Sequence, residues 1–265
     1  MRKNEGTAMS ISEMPLFTAH NVRLDNGQET KPDESNTVDQ FPWFISTRKL
    51  IDTVFPGGKK GVSVVDLGCL EGGYTAEFAR MGMDSLGIEV RETNFACCEY
   101  VREHTDLPNL RFAKDTVLNI EKYGEFDISF CCGLLYHLDQ PRAFLEKLAK
   151  QTRKLLILQT HVSLAEEGKR EFPLSENTTN EGLPGRWYGE FSPQTSAEQL
   201  ERLRWASWEN NKSFWVRREY LLELIHKIGF DLVFEQFDSL APNIAASLEA
   251  SKTMSQRVTF IGIKP

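Results

Sequence analysis

One ten-residue stretch constrains this chain more than any other. Val64-Val65-Asp66-Leu67-Gly68-Cys69-Leu70-Glu71-Gly72-Gly73 runs from a β-branched strand pattern into a glycine-rich turn, and Tyr74 to Met81 continues as a helix. In a doubly wound α/β sheet, ligands sit at the carboxyl ends of the strands, where such turns lie. Glycine lets the backbone pass close to a ligand there. The dinucleotide fingerprint is G-x-G-x-x-G. This chain has Gly68, then Leu70 where the second glycine would stand, then Gly72-Gly73. That is a poor match to a pyrophosphate cradle.

The remainder repeats the alternation. Strands are expected at Val62–Val65, Ser85–Glu89, Leu110–Ala113, Phe126–Cys132, Lys154–Gln159, Asp231–Phe237 and Arg257–Ile263. Helices are expected at Glu92–Glu103, Arg142–Thr152 and Arg217–Ile228, the last stopped by Gly229. Near-continuous apolar strands alternating with helices imply a mostly parallel sheet covered on both faces. An apolar segment from Phe41 through Val54 has helical spacing and ends at Pro56-Gly57-Gly58. Residues 1–37 are polar and rich in turn formers, a leader with little intrinsic structure and a short hairpin around Asn26-Gly27. From Ser163 to Asn211 the alternation breaks into a polar, aromatic-rich insertion after strand five. Four of the five tryptophans (Trp187, Trp205, Trp208 and Trp215) lie in or just beyond it.

Composition removes several classes. A net charge of −7 argues mildly against nucleic acid as a partner, because phosphate binders usually present a basic face. The five cysteines include two adjacent doublets and no CxxC pair, so they read as reduced thiols of a cytoplasmic protein rather than a disulfide framework. Met1 to Phe17 lacks the apolar core of a signal peptide, and no stretch is long and apolar enough to span a membrane.

The residues that follow each strand suggest a ligand. Glu89 ends strand two, where a carboxylate can accept from both ribose hydroxyls. Asp115-Thr116 follow strand three, where a short acid can accept from an adenine amino group. Asp127 is taken as the next acid in this series of residues that follow strands, and Gly133–His137 come after strand four, which brings Tyr136 and His137 to a substrate mouth. Together with Asp66, Gly68 and Gly72, in a D-x-G-x-x-x-G turn, these residues resemble the class I (Rossmann-like) S-adenosylmethionine (SAM)-dependent methyltransferases over roughly residues 60–265. Gly133-Leu134-Leu135-Tyr136-His137-Leu138 looks like the segment after strand four of many small-molecule enzymes. It is also similar to the branch containing the tRNA wobble-uridine carboxymethyltransferase, as is Asn211–Val216. The resemblance implies an α/β, doubly wound, seven-stranded sheet whose last strand is antiparallel and lies between strands five and six. It implies SAM as cofactor, with Asp66, Gly68, Leu70 and Gly72 at the methionine moiety, Glu89 at the ribose, Asp115 and Thr116 at the adenine, and Cys132 nearby. Residues 1–45 would be a leader or cap, 46–162 the SAM-binding core, 163–215 a substrate lid and 216–265 the C-terminal part of the sheet.

Each candidate has a bland alternative. His137 can act as a general base or pack under the cofactor; Tyr136 can line the pocket or the core. His161, Trp187, Tyr188 and Trp215 can bind substrate or form the core of the insertion. Arg186 and Arg217 can grip an anion or sit in solvent. Cys131 and Cys132 read as buried strand residues, because the Pro-Cys dipeptide of cytosine-C5 enzymes is missing. The Asn/Asp-Pro-Pro-aromatic tetrapeptide of amino-methylating enzymes is missing too. No acidic pattern around His137 and His161 supports a metal. The reaction expected is direct SN2 methyl transfer to an oxygen or nitrogen of a small-molecule acceptor. The alternatives are a tRNA wobble-base methyl- or carboxymethyltransferase and a non-catalytic SAM-binding scaffold. No membrane association is expected, and a homodimer stays open.

Overall fold

The computed structural model describes residues 14–166, 172–252 and 257–265. The signal-peptide question therefore concerns a segment that lies largely outside the described residues. An N-terminal helix α1 (Pro42–Val54) starts with proline at its first position, where the missing N–H costs nothing. The alternation then follows as β1 (Ser63–Leu67), α2 (Gly73–Arg80), β2 (Asp84–Glu89), α3 (Glu92–Glu103), β3 (Leu110–Lys114), β4 (Phe126–Cys132), α4 (Pro141–Gln151) and β5 (Thr152–His161). An insertion holds β6 (Thr178–Asn180), β7 (Leu183–Gly189), α5 (Ala197–Arg202) and β8 (Lys212–Val216). The chain returns to the main sheet through α6 (Arg218–Lys227), β9 (Leu232–Glu235), α7 (Ile244–Ala250) and β10 (Arg257–Ile263).

The main sheet has seven strands in the order β3-β2-β1-β4-β5-β10-β9. β1 to β5 pair in parallel, while β10 runs antiparallel to both β5 and β9. This is the doubly wound arrangement expected, with the last strand reversed between the fifth and sixth of the sheet. Successive side chains of a strand point to opposite faces, and the core divides accordingly. Val64, Leu155 and Ile157 join Phe44, Ile51, Phe78 and Phe130 on one face. Val65, Leu156 and Leu158 join Phe144, Leu148, Leu221 and Ile225 on the other. No helix of the described residues is long and apolar enough to cross a membrane.

Two local expectations need correction. The leader is not bare. Phe17, Val22 and Leu24 are buried against Ala76 and Ala79 of α2 and Tyr100 and Val101 of α3, because a few apolar side chains suffice once two helices offer a groove. The Asn26-Gly27 turn closes on a single bridge between Arg23 and Glu29. The insertion is not mainly loop: β6, β7 and β8 form a three-stranded antiparallel sheet. Its first hairpin turns at Glu181-Gly182, both at positive φ (+50° and +76°), the geometry that two-residue hairpins require. Residues 237–257 contain the short helix α7, which no periodicity announced.

Candidate active site

Parallel strands that all end on one edge leave a crevice beyond their carboxyl ends. Here that crevice is a cleft of about 630 Å³, within the range of small-molecule and cofactor sites. Eight of the fourteen candidate residues reach it: Asp66, Gly68, Leu70, Glu89, Thr116, Cys132, Tyr136 and His137.

The floor is the turn after β1. Gly68 N–H and Cys69 N–H both donate to the Ile88 carbonyl, at 2.9 and 3.1 Å, which folds the turn back over β2. Gly68 lies at φ +67° and Leu70 at +54°. The second value explains the unusual leucine: the position still needs a left-handed backbone, which costs an L residue roughly 1–2 kcal/mol. Two bonds hold Leu70 there. Its N–H donates to Glu89 Oε2 at 3.0 Å, and its carbonyl accepts from Cys98 Sγ at 3.3 Å. Gly72 plays a different part from the one expected. It does not line the cleft, and a Cβ there would lie 2.6 Å from Phe112 Cζ, so glycine serves the packing of the turn on β3.

Two carboxylates form one wall. Asp66 accepts from the Thr75 hydroxyl at 2.6 Å. Burial pushes its carboxyl up to about 7; the Thr75 bond opposes that rise and the neighbouring Glu89 charge adds to it. Burial also raises Glu89, against hydrogen bonds from the Arg91 and Leu70 N–H groups. Beside them Asn94 Oδ1 is a buried acceptor with no hydrogen-bond partner among the described residues.

Asp115 is a correction. Its carboxylate accepts from Asn119 Nδ2, Lys122 Nζ and Tyr123 Oη within the turn that follows β3, and it does not line the cleft. Burial would raise it, but those bonds and one from Thr116 N–H prevail and hold it at about 2. Thr116 and Leu118 reach the cleft instead. Asp127 is a second correction. It sits at the start of β4, the edge opposite the cleft, and accepts from Ser63 and Arg153. The expected strand range, Phe126–Cys132, already put Asp127 at the head of the strand, so it could not follow the strand as Glu89 does.

The opposite wall holds a histidine paired with a buried carboxylate. A short turn after β4 (Leu135–His137) brings His137 to the cleft. His137 Nδ1 lies 2.9 and 3.1 Å from the two carboxylate oxygens of Glu190, the residue after β7. Glu190 is almost fully buried and also accepts from Ser213 Oγ at 2.7 Å and Ser207 N–H at 3.0 Å. Burial would raise its carboxyl, but the bonds from His137, Ser213 and Ser207 outweigh that and hold it below its ordinary value. An ionised Glu190 assigns the proton of a neutral His137 to Nδ1 and leaves the lone pair on Nε2. Glu190 was missed in the sequence, because nothing in a lone glutamate at the end of a polar insertion marks a partner 53 residues away.

The other substrate candidates lie behind this wall. Trp187 packs on Phe214. Tyr188, Trp215 and Phe172 cluster against Tyr136, and Trp215 Nε1 donates to the Tyr136 carbonyl at 2.9 Å. His161 stacks on Trp215. None of Trp187, Tyr188, Trp215 and His161 lines the cleft; Tyr188, Trp215 and His161 pack around Tyr136, while Trp187 packs against the main core. Arg186 donates to the carbonyls of Leu164, Ser175 and Ala165, so it knits the insertion together.

Two segments cover the cleft. From the insertion, Arg204 to Asn210 line it, including Trp205 and Trp208. The buried Arg91 anchors this segment by donating to the carbonyls of Leu200, Ala206 and Ser207. From the leader come Ala19 and His20, followed by Trp43 of α1. The fully buried Glu71 accepts from the N–H groups of Thr18, Ala19 and His20, tying the leader to the turn after β1.

Comparison with known proteins gives likenesses of sequence and of fold. A family model described as a methyltransferase domain matches residues 64–154. The ubiquinone biosynthesis O-methyltransferase of Acinetobacter baylyi is 28% identical over 92 residues, covering 34% of this chain and 39% of that protein. The tRNA U34 carboxymethyltransferase of Alteromonas mediterranea is 31% identical over 111 residues, covering 39% of this chain and 33% of that protein. The chain thus matches less than half the length of either curated relative. The solved N-terminal domain of EvdMO1, crystallised in the presence of SAH and D-fucose, superposes with a TM-score of 0.64 at 23% identity, over 90% of this chain and 88% of that one. Residues 64–154 are thus similar to a methyltransferase domain, and the fold is shared with the EvdMO1 N-terminal domain.

Proposed function

We propose that this chain transfers a methyl group from SAM to an oxygen or nitrogen of a small-molecule acceptor, with His137 as general base and Glu190 as the residue that orients it. The observation that carries the reading is the His137–Glu190 pair, set across one cleft from the turn after β1. The residues present fit the cofactor. Asp66 and Glu89 are acceptors for ammonium and hydroxyl groups, and the buried Asn94 Oδ1 is an acceptor in want of a donor. Asp66, Gly68 and Leu70 would hold the methionine moiety, Glu89 with Asn94 the ribose, and Thr116 with Leu118 the adenine. Bound SAM supplies an activated sulfonium methyl. The protein's part is to position the acceptor, which lowers the barrier by pre-ordering the reactants, and to hold His137 Nε2 ready to take the acceptor's proton. The leader and the 204–210 segment exclude water.

Calorimetry with S-adenosylhomocysteine (SAH), followed by labelled methyl transfer from SAM into a metabolite extract, tests this. Binding and incorporation into small molecules are expected. Binding without any incorporation would favour a non-catalytic scaffold. A second reading, modification of a tRNA wobble base, is favoured by the likeness to the tRNA U34 carboxymethyltransferase. The net charge of −7 opposes it, since RNA binding needs phosphate neutralisation. Retention of bulk tRNA on a filter at low salt would revive it.

A further inference from the structure

Among the described residues, four cationic side chains line the cleft: Arg91, Lys147, Arg204 and Arg257. Three are engaged within the protein. Arg91 serves the carbonyls of residues 200, 206 and 207. Lys147 pairs with Glu121 and donates to the Leu118 carbonyl. Arg204 bonds the Leu16 carbonyl and pairs with Glu71. Arg257 differs. Among the described residues no carboxylate pairs with it, and its bonds go to neutral side chains, the Tyr136 hydroxyl and His161 Nε2 (3.4 Å).

The fold explains how it reaches the site. β10 is antiparallel, so its first residue, not its last, arrives at the ligand edge, where Arg257 is in register with His161 at the end of β5. The guanidinium carbon stands 5.3 Å from the centroid of the Tyr136 ring. Tyr136 is itself fixed by Trp215 and lies 4.2 Å, centroid to centroid, from the His137 ring. Its hydroxyl oxygen accepts from Arg257, so its own hydrogen remains to be donated. Gly133 leaves room beside both: a Cβ there would stand 3.6 Å from Tyr136 Oη and 3.7 Å from Arg257 Nη2. His161 stays neutral, because burial first, then Arg257 and His137, lower it to about 4.

We infer that Arg257 and Tyr136 form a carboxylate-binding subsite, and that the acceptor is a small molecule carrying a carboxylate close to the oxygen or nitrogen that is methylated. This rests on the methyltransferase reading above. A planar guanidinium and a phenol O–H offer donors that match the two oxygens of a carboxylate. A single positive charge balances one negative charge. A phosphate dianion would leave excess negative charge in a cleft that already holds Asp66 and Glu89.

The test uses the full chain loaded with SAH and compares benzoate with benzamide by calorimetry, in the wild type, Arg257→Gln and Arg257→Lys. The wild type is expected to bind benzoate about tenfold more tightly than benzamide, the scale of a charge-assisted hydrogen bond. Arg257→Gln should erase the preference with SAH affinity within about twofold of wild type, which shows the variant is folded. Arg257→Lys should keep part of the preference. Equal binding of the two probes, no binding of either, or a preference that survives in Arg257→Gln overturns the carboxylate subsite. Failure of the wild type to bind SAH at all overturns instead the cofactor reading on which it rests.

Discussion

Replacing Glu89 with alanine tests the cofactor wall and the strained turn together. The carboxylate is nearly fully buried and accepts two backbone N–H bonds, from Leu70 at 3.0 Å and Arg91 at 2.8 Å. Losing it strands two buried donors at about 1–3 kcal/mol each, hence roughly 2–6 kcal/mol in all. Part is returned, because the burial that raises the Glu89 pKa is itself unfavourable to the carboxylate. A net loss of about 2–4 kcal/mol of ligand-free stability is expected, or a fall in melting temperature of about 4–8 °C for a chain of this size. The turn should suffer more than the average. Leu70 is held at φ +54° in part by this bond, and without it the leucine can relax out of the left-handed region. Ribose contacts and the preformed turn are then lost together. SAH affinity should fall at least about tenfold, and more if the two losses add. Melting curves without ligand and titration calorimetry with SAH, both on wild type and Glu89→Ala, read the two effects separately. A variant that melts several degrees lower yet binds SAH as the wild type does would show that Glu89 only braces the turn. Unchanged melting and unchanged affinity would refute the whole argument.

Three further outcomes follow. Asp115→Ala should leave SAH affinity within about twofold of wild type, since its carboxylate faces Asn119, Lys122 and Tyr123; a tenfold loss would return Asp115 to the adenine site. Asp66 is held up at about 7 in the free protein, and a ligand ammonium beside it requires the ionised form. SAH affinity should therefore drop as pH falls through 7, by up to about tenfold per unit, with proton uptake by the buffer on binding at pH 6; a flat profile between pH 6 and 8 would remove Asp66 from the ligand. Glu190→Gln places an amide where His137, Ser213 and Ser207 donate. It should cost about 1–3 kcal/mol of stability and abolish the Nδ1–H tautomer of His137 in imidazole ¹⁵N NMR spectra; an unaltered tautomer would mean that Glu190 does not orient the ring.

The local code of this sequence was strong where physics is local. Val64-Val65, Ser85–Glu89 and Phe126–Cys132 are apolar runs too short for helices and bounded by glycine or polar turns, so strands were legible. Their alternation with amphipathic helices leaves few topologies for a sheet covered on both faces. The turn at Asp66–Gly73 and the carboxylate Glu89 could be placed because they follow directly from strand ends. Asp115 shows the limit of that reasoning. Position along a strand says which edge a residue is near, but not whether its side chain is claimed by a neighbour, as Asp115 is by Asn119 and Tyr123.

What only the tertiary structure decided depends on contacts far apart in the chain. Glu190 reaches His137 across 53 positions, and Arg257 reaches Tyr136 across 121. The leader becomes ordered because Glu71 offers acceptors to Thr18, Ala19 and His20, and because α2 and α3 offer a groove to Phe17 and Leu24. The tryptophans divide by the same logic. Trp215 is drawn into the small cluster around Tyr136 and Trp187 onto the main core, while Trp205 and Trp208 ride on a segment that Arg91 pins over the cleft. Side-chain type alone is the same in all four. Sequence by itself determined the sheet and the glycine-rich turn after β1, since periodicity and glycine placement act over a few residues. The pairing of His137 with Glu190 and the arrival of Arg257 at the cleft came from antiparallel returns of the chain, whose registry no local pattern encodes.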